Sequence, residues 1–287
     1  MYVCAFTDEV LPDFEGAVRA CAENGVTDVQ VRNVRGTNIV HLPDDEAARI
    51  AGVARRYGVR VAGIGSPFGK CELSDEAWAA HAPLFERVLR LADLFDTRMV
   101  RIFAFFARER RRADGAPVTL AEVLPEVAAR LSGPVTRAAQ HGLTLGLENE
   151  YTTLAGSCAE ARDVLDAVGS PNLQICWDVA SGWYTGEPVL PDGHERVRGL
   201  ICDVHVRDAS DDPQRPGQHG AITRLGDGAI DWPEVVRRLR TDGYRGPLSL
   251  ETHLYSGDPE RETRLKAATI HGVRVLQRLL APSTAVR

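Results

Sequence analysis

The chain contains no uninterrupted apolar run approaching the ~18 residues of a membrane-crossing helix, so no span is expected. Its start, "MYVCAFTDEV", lacks a basic segment followed by an apolar stretch; no secretory signal is expected, and a cytoplasmic location is. Cysteine is sparse and scattered. Cys4, Cys21, Cys71, Cys158, Cys176 and Cys202 form no CxxC pair, which argues for buried thiols over a disulfide frame or a thiolate metal site. There is no basic excess either. With 34 Lys+Arg against 40 Asp+Glu, the net charge of -6 weighs against a nucleic-acid partner. The single basic run, "ARERRRADG" from Ala107 to Gly115, has acids within it and reads as a solvated loop or helix start. Linkers and low-complexity tracts are missing too, so residues 1–287 are read as one domain.

Short apolar runs alternating with longer amphipathic ones fill the 287 residues. The runs "YVCAF", "DVQVR", "VRVAGI", "RMVRIF", "LTLGL", "LQICW", "CDVHV" and "LSLE" have strand length and strand composition. Between them lie helical patterns with polar caps and glycine stops, such as "DFEGAVRACAENG" ending at Gly25. Pro83 is expected to divide the helix that starts at Ser74, and Pro134 to break the one containing "LSGPVTRAAQ". In "EPVLPDGHERVRGL" only the second half reads as helix, because Pro188 and Pro191 interrupt the first. Strand then helix, about eight times over, predicts an α/β fold, a single (β/α)8 TIM barrel. The alternative is a doubly wound open sheet, which usually carries a glycine-rich turn after its first strand; "AFTDEVLPDFEG" has none.

In such a barrel, active sites gather where strands end. The run "LGLENEY", Leu145 to Tyr151, closes a buried strand with Glu148 and Glu150. Carboxylates are rarely buried without a partner. The later strands end alike, with Asp178 in "ICWDVASGWY", His205 in "DVHVRDAS" and Glu251 in "LSLETHLY". Three carboxylates and an imidazole at one mouth would repel unless a cation sat among them. The donor set suits one divalent metal, Mn²⁺ first, with Mg²⁺, Co²⁺ or Zn²⁺ as alternatives.

These segments, with "LGDGAIDWPEVVRRL", "GYRGPLSLETH", "AFTDEV" and "GSPFGK", resemble the sugar phosphate isomerase/epimerase family, the xylose isomerase-like barrels. The resemblance spans nearly the whole chain. It implies a metal held by Glu148, Asp178, His205 and Glu251. It also implies an isomerase or epimerase acting on a small-molecule sugar or keto-sugar, in which Glu148 and Glu251 exchange a proton beside a carbonyl through a metal-stabilised enediolate. Both acids acting purely as ligands is the competing reading. With a leaving group β to the carbonyl, the same site becomes a lyase, of the inosose or dehydroshikimate dehydratase type or one cleaving 3-keto-glycosides and C-glycosides. A non-catalytic sugar-binding barrel is the rival of another class. The trinuclear-zinc nucleases of this fold need further histidines, yet this chain has Ser181 after the sixth strand, and Gly228 and Ala229 after Asp227.

Candidate substrate-binding residues are Glu150, Lys70, Trp177, Arg207, Asp208 and His253. Strand alternation gives Glu150 and His253 the facing of Glu148 and Glu251. Lys70 in "GSPFGK" suits an enolate, hydroxyl or phosphate, Arg207 and Asp208 lie in "HVRD", and Trp177 offers a stacking face. Each has a bland alternative: a surface ion pair for Glu150, a structural salt bridge for Asp208, solvation for Lys70, core packing for Trp177. A homo-oligomer or a partner subunit is compatible with the family.

Overall fold

Eight short strands, all parallel, close on themselves in the computed structural model, which describes residues 1–106, 115–212, 215–254, 258 and 260–282. The basic stretch 107–114 lies outside the described residues. In chain order the strands are β1 (Tyr2–Phe6), β2 (Asp28–Val31), β3 (Arg60–Gly65) and β4 (Met99–Ile102). β5 (Thr144–Glu148), β6 (Leu173–Asp178), β7 (Ile201–Val206) and β8 (Pro247–Leu250) follow. β1 pairs with both β2 and β8, which closes the (β/α)8 ring and excludes the open sheet. Outward-facing Val, Ile and Leu of the strands pack under the helices in one continuous core. No helix among the described residues is long and apolar enough to cross a membrane.

The helices begin where their caps predict. Asp13 caps α1 (Phe14–Glu23), Ser74 caps α3 (Asp75–His81), and Ser157 with Glu160 forms a capping box on α6 (Cys158–Val168). Pro83 separates α3 from α4 (Leu84–Phe95), as its missing N–H requires. Pro134 does not break α5, which runs unbroken from Leu120 to Gln140. The residue before it is Gly133, with no Cβ to clash with the proline ring, and Val127, Leu131, Val135 and Ala138 hold one continuous buried face. In the sixth connection the expected second half is helical at His194–Val197, and a π-helical turn at Val189–Gly193, containing Pro191, leads directly into it.

Three elements were not legible in the sequence. A short helix, Val179–Tyr184, starts directly at Asp178, and a small ribbon pairs Asn33–Val34 with Thr37–Asn38. A hairpin, Asp208–Asp212 with Arg215–Thr223, follows β7. Its strands, "DASDD" and "RPGQHGAIT", lack the apolar alternation that marks a strand.

Candidate metal centre

Parallel register sets the site. Asp178 lies beside His205 across β6 and β7, and Glu148 beside Cys176 across β5 and β6. Glu251 directly follows β8. One ligand atom from each of Glu148, Asp178, His205 and Glu251 lies within 4.8 Å of the others, and all four residues are buried. His205 Nδ1 stands 3.7 Å from Glu148 Oε2 and 3.3 Å from Glu251 Oε2. Neither Glu251 Oε2 nor His205 Nδ1 has a hydrogen-bond partner.

Cations surround the carboxylates without filling their centre. Arg101 Nη1 approaches Glu148 Oε2 at 3.1 Å and Glu251 Oε1 at 3.8 Å. Arg32 pairs with Glu251, with Glu9 at 2.5 Å and with Asp8 at 2.9 Å. Arg207 grips Asp178, Nη2 to Oδ2 at 2.7 Å and Nε to Oδ1 at 3.2 Å. Burial would raise the Glu148 pKa, but Arg101 and His205 outweigh it and hold the carboxyl at about 2. Glu251 is likewise carried well below its ordinary range, its burial outweighed by His253, Arg32 and His205. Asp178 goes the other way: burial pushes it to about 6 despite Arg207.

Glu9, Glu148, Asp178, Asp203 and Glu251 are buried around three guanidiniums, Arg32, Arg101 and Arg207, and Arg32 also carries Asp8, so negative charge is in excess. In the metal-free protein two histidines can answer part of that excess. Burial disfavours both imidazolium forms, yet the neighbouring Cys176, Glu148 and Glu251 carry the His205 pKa well above its usual value, and Glu251 and Glu9 lift His253 to about 9. A single dication would supply the same charge. The oxygen-rich donors with one imidazole fit such an ion, with Glu148, Asp178, His205 and Glu251 as the groups to hold it.

The predicted substrate-binding residues divide. His253 lies at the mouth, Nε2 3.1 Å from Glu251 Oε1 and Nδ1 2.9 Å from Glu9 Oε1. It gets there by a left-handed turn (φ +50°), since β8 has already ended. Glu150 also lies past its strand; Oε1 accepts from the Thr152 hydroxyl at 3.0 Å and Oε2 is 3.7 Å from Lys70 Nζ. Lys70 sits 4.4 Å over the Phe103 ring, whose other neighbour is Arg101 at 4.7 Å. Arg207 belongs to Asp178 and to Ser181 Oγ, which accepts at 2.8 Å. Asp208 is not brought to the cluster: its carboxylate accepts from the backbone amides of Ala209, Gly226, Gly228 and Ile230. Trp177 is not brought there either; it is buried with its ring 5.8 Å from that of His194, in the helical layer.

Reading the strand ends for acids and histidine missed Arg32, Arg101, Glu9 and Asp203. A signal existed: Arg101 and Asp203 interrupt otherwise apolar strands, and a charge there is affordable only beside a counter-charge.

Known proteins share this architecture. A segment of 137 residues, 43% of this chain and 45% of the relative, is 28% identical to the inosose dehydratase of Erwinia tasmaniensis. Less than half of that relative is therefore matched. The solved structure of an IolI protein with a bound zinc atom overlays with a TM-score of 0.77 at 14% identity, covering 98% of each chain. The apo form of 3-keto-D-glucoside 4-epimerase, YcjR, from E. coli overlays with a TM-score of 0.72 at 17% identity, covering 96% of this chain and 99% of that one. At such identities the likeness is one of fold. The model of the xylose isomerase-like TIM barrel family, in contrast, matches residues 18–279, and the chain belongs to that family.

Proposed function

We propose that the chain is a divalent-metal-dependent isomerase or epimerase that moves a proton next to the carbonyl of a sugar or keto-sugar. One observation carries this reading: the convergence of Glu148, Asp178, His205 and Glu251, all buried, with one ligand atom of each within 4.8 Å of the others. A dication there, Mn²⁺ by preference, would acidify the C–H beside a bound carbonyl and stabilise the enediolate. Glu148 and Glu251 are the acceptor and donor of the proton. Their surroundings favour the ionised form, which suits Glu148 as the acceptor but makes it weakly basic, so it serves only a strongly acidified carbon; Glu251 can donate only after taking up a proton itself. Burial of the cluster keeps water from competing for that proton. His253, between Glu251 and Glu9, holds Glu251 in place and closes the mouth on that side. Lys70 and Glu150 lie beyond Phe103, where they suit substrate hydroxyls.

A second reading has its own support in the resemblance to an inosose dehydratase. Where the substrate carries a leaving group β to the carbonyl, loss of the proton to the same carboxylate expels that group, and the reaction is a lyase's. One experiment separates the two. The purified protein, with its native metal quantified, is incubated with a 3-keto-glycoside in deuterated water. A new diastereomer labelled at the carbon next to the carbonyl supports epimerisation, and release of the aglycone supports elimination. A protein that binds no divalent ion and exchanges no substrate proton refutes both.

A further inference from the structure

β7 reads "ICDVHV", and alternation turns Asp203 and His205 to the barrel interior while Val204 and Val206 face the helices. A fully buried carboxylate on an inner barrel face is costly, so its partners matter. Oδ1 of Asp203 accepts from Ser249 Oγ at 2.7 Å. Oδ2 accepts from Gln30 Nε2, which lies 2.8 Å from the same serine oxygen. These donors are neutral; they fix the carboxylate in place but leave its charge unanswered. Among the described residues, the one basic group within ion-pair distance is the imidazole of His205, with Nε2 3.4 Å from Oδ2. The opposite nitrogen, Nδ1, is the one that faces Glu148 and Glu251. The ring is held edge-on to Phe6, with centroids 5.1 Å apart and planes at 88°.

We infer that Asp203 is a positioning residue for the metal centre, holding the proton of His205 on Nε2 so that the bare Nδ1 faces the ion. The inference rests on the single-ion reading of the site. A neutral imidazole has one protonated and one bare nitrogen, and the acceptor at one end decides which is which. At 3.4 Å the Asp203 contact is longer than a formed hydrogen bond. A cation on Nδ1 withdraws charge from the ring and makes Nε2–H a stronger donor, so the contact shortens when the ion binds. Gln30 and Ser249 extend the device: together with the Cys176 thiol, 4.0 Å from Oδ2, they fix the Asp203 carboxylate while acceptor capacity remains for His205.

The test compares Mn²⁺ binding, by calorimetric titration, in the wild type, Asp203→Asn and Ser249→Ala, with metal-free thermal unfolding recorded for each. Asp203→Asn is expected to weaken Mn²⁺ on the order of 10- to 100-fold while unfolding near the wild-type temperature, and Ser249→Ala to weaken it less. Equal Mn²⁺ affinity in a folded Asp203→Asn overturns the inference. Nitrogen-15 spectra of the His205 ring in the wild type give a readout that needs no variant. A proton on Nε2 is expected in the zinc-loaded protein and, without metal, at a pH high enough for the ring to be neutral, where Nδ1 is bare; a bare Nε2 in either overturns the inference even if Asp203→Asn does not fold. A wild type that binds neither ion, yet keeps that proton, refutes the metal reading and leaves the role of Asp203 in orienting the ring standing.

Discussion

Replacing Arg207 with methionine isolates the electrostatics of the site. The guanidinium is 5% exposed and reaches both oxygens of Asp178, at 2.7 and 3.2 Å. Removing one partner of a buried pair typically costs about 3–5 kcal/mol. Part is recovered, because burial already pushes Asp178 to about 6 and, without Arg207, the carboxyl takes up a proton at neutral pH. The expected loss near neutrality is therefore about 2–4 kcal/mol. At about 2–4 °C per kcal/mol for a chain of this size, the melting temperature falls by about 4–16 °C. The pH dependence is the signature. The folded pKa of Asp178 lies above the ordinary 3.8, so the native state binds more protons than the unfolded one between those values, and Asp178 weighs increasingly on the fold as pH rises through about 6. In Arg207→Met that burden continues to higher pH. Calorimetric unfolding of metal-free protein should show a gap between wild type and variant that widens from about pH 5 to about pH 8. Saturating Mn²⁺ should narrow it, because the dication takes over the role of the guanidinium charge. A gap independent of pH, or no gap, would refute the assignment of Arg207 as the counter-ion of Asp178.

His205→Ala and Glu251→Gln should each leave the barrel folded by circular dichroism and abolish turnover or stoichiometric metal, and an active, metal-free double variant would overturn the site. Arg101→Met should weaken the acid limb of stability. Glu148, held at about 2 against an ordinary 4.5, stabilises the fold by about 3 kcal/mol above the upper value, and this is lost as pH falls toward the lower one. Acid titration of the metal-free protein should therefore show Arg101→Met unfolding at higher pH, and coincident curves would contradict the pairing. Gly69→Ala tests the loop that carries Lys70. Gly69 has φ +85°, and an added Cβ would lie 2.0 Å from the Phe103 carbonyl oxygen, so a loss of about 2–3 kcal/mol by thermal unfolding is expected.

The barrel was legible because its signals are local. Short runs such as "LTLGL" end at polar residues, and Asp13, Ser74 and Ser157 cap helices within one turn of where the pattern starts. What escaped depends on tertiary context. Pro134 is a breaker by its own chemistry, yet the buried face of α5 and the absence of a Cβ at Gly133 let the helix continue. The hairpin after β7 is held by ladder hydrogen bonds that polar strands do not advertise. The four candidate ligands could be read from strand ends, but their counter-ions come from elsewhere in the ring: Arg32 just past β2, and Arg101 inside β4. Glu150 and His253 show the limit of alternation. Both lie beyond the last strand residue, where facing is set by the turn and no longer by the pleat.

Space argues against a second ion beside the candidate ligands, whereas charge sets no such limit, because the carboxylates around Arg32, Arg101 and Arg207 outnumber those guanidiniums. The positions from which extra ligands would come are filled otherwise. Ser181 lies against Arg207, its hydroxyl accepting the hydrogen bond that completes the grip on Asp178. At Gly228 a Cβ would stand 2.1 Å from Asp208 Oδ1, because the loop from Gly226 to Ile230 wraps its amides around that carboxylate. Ala229, where an Asp-x-His pattern would place its histidine, lies on the same loop, its amide donating to the Ala209 carbonyl at 2.8 Å. The Asp208 carboxylate, a candidate substrate contact in the sequence, instead holds that loop in place.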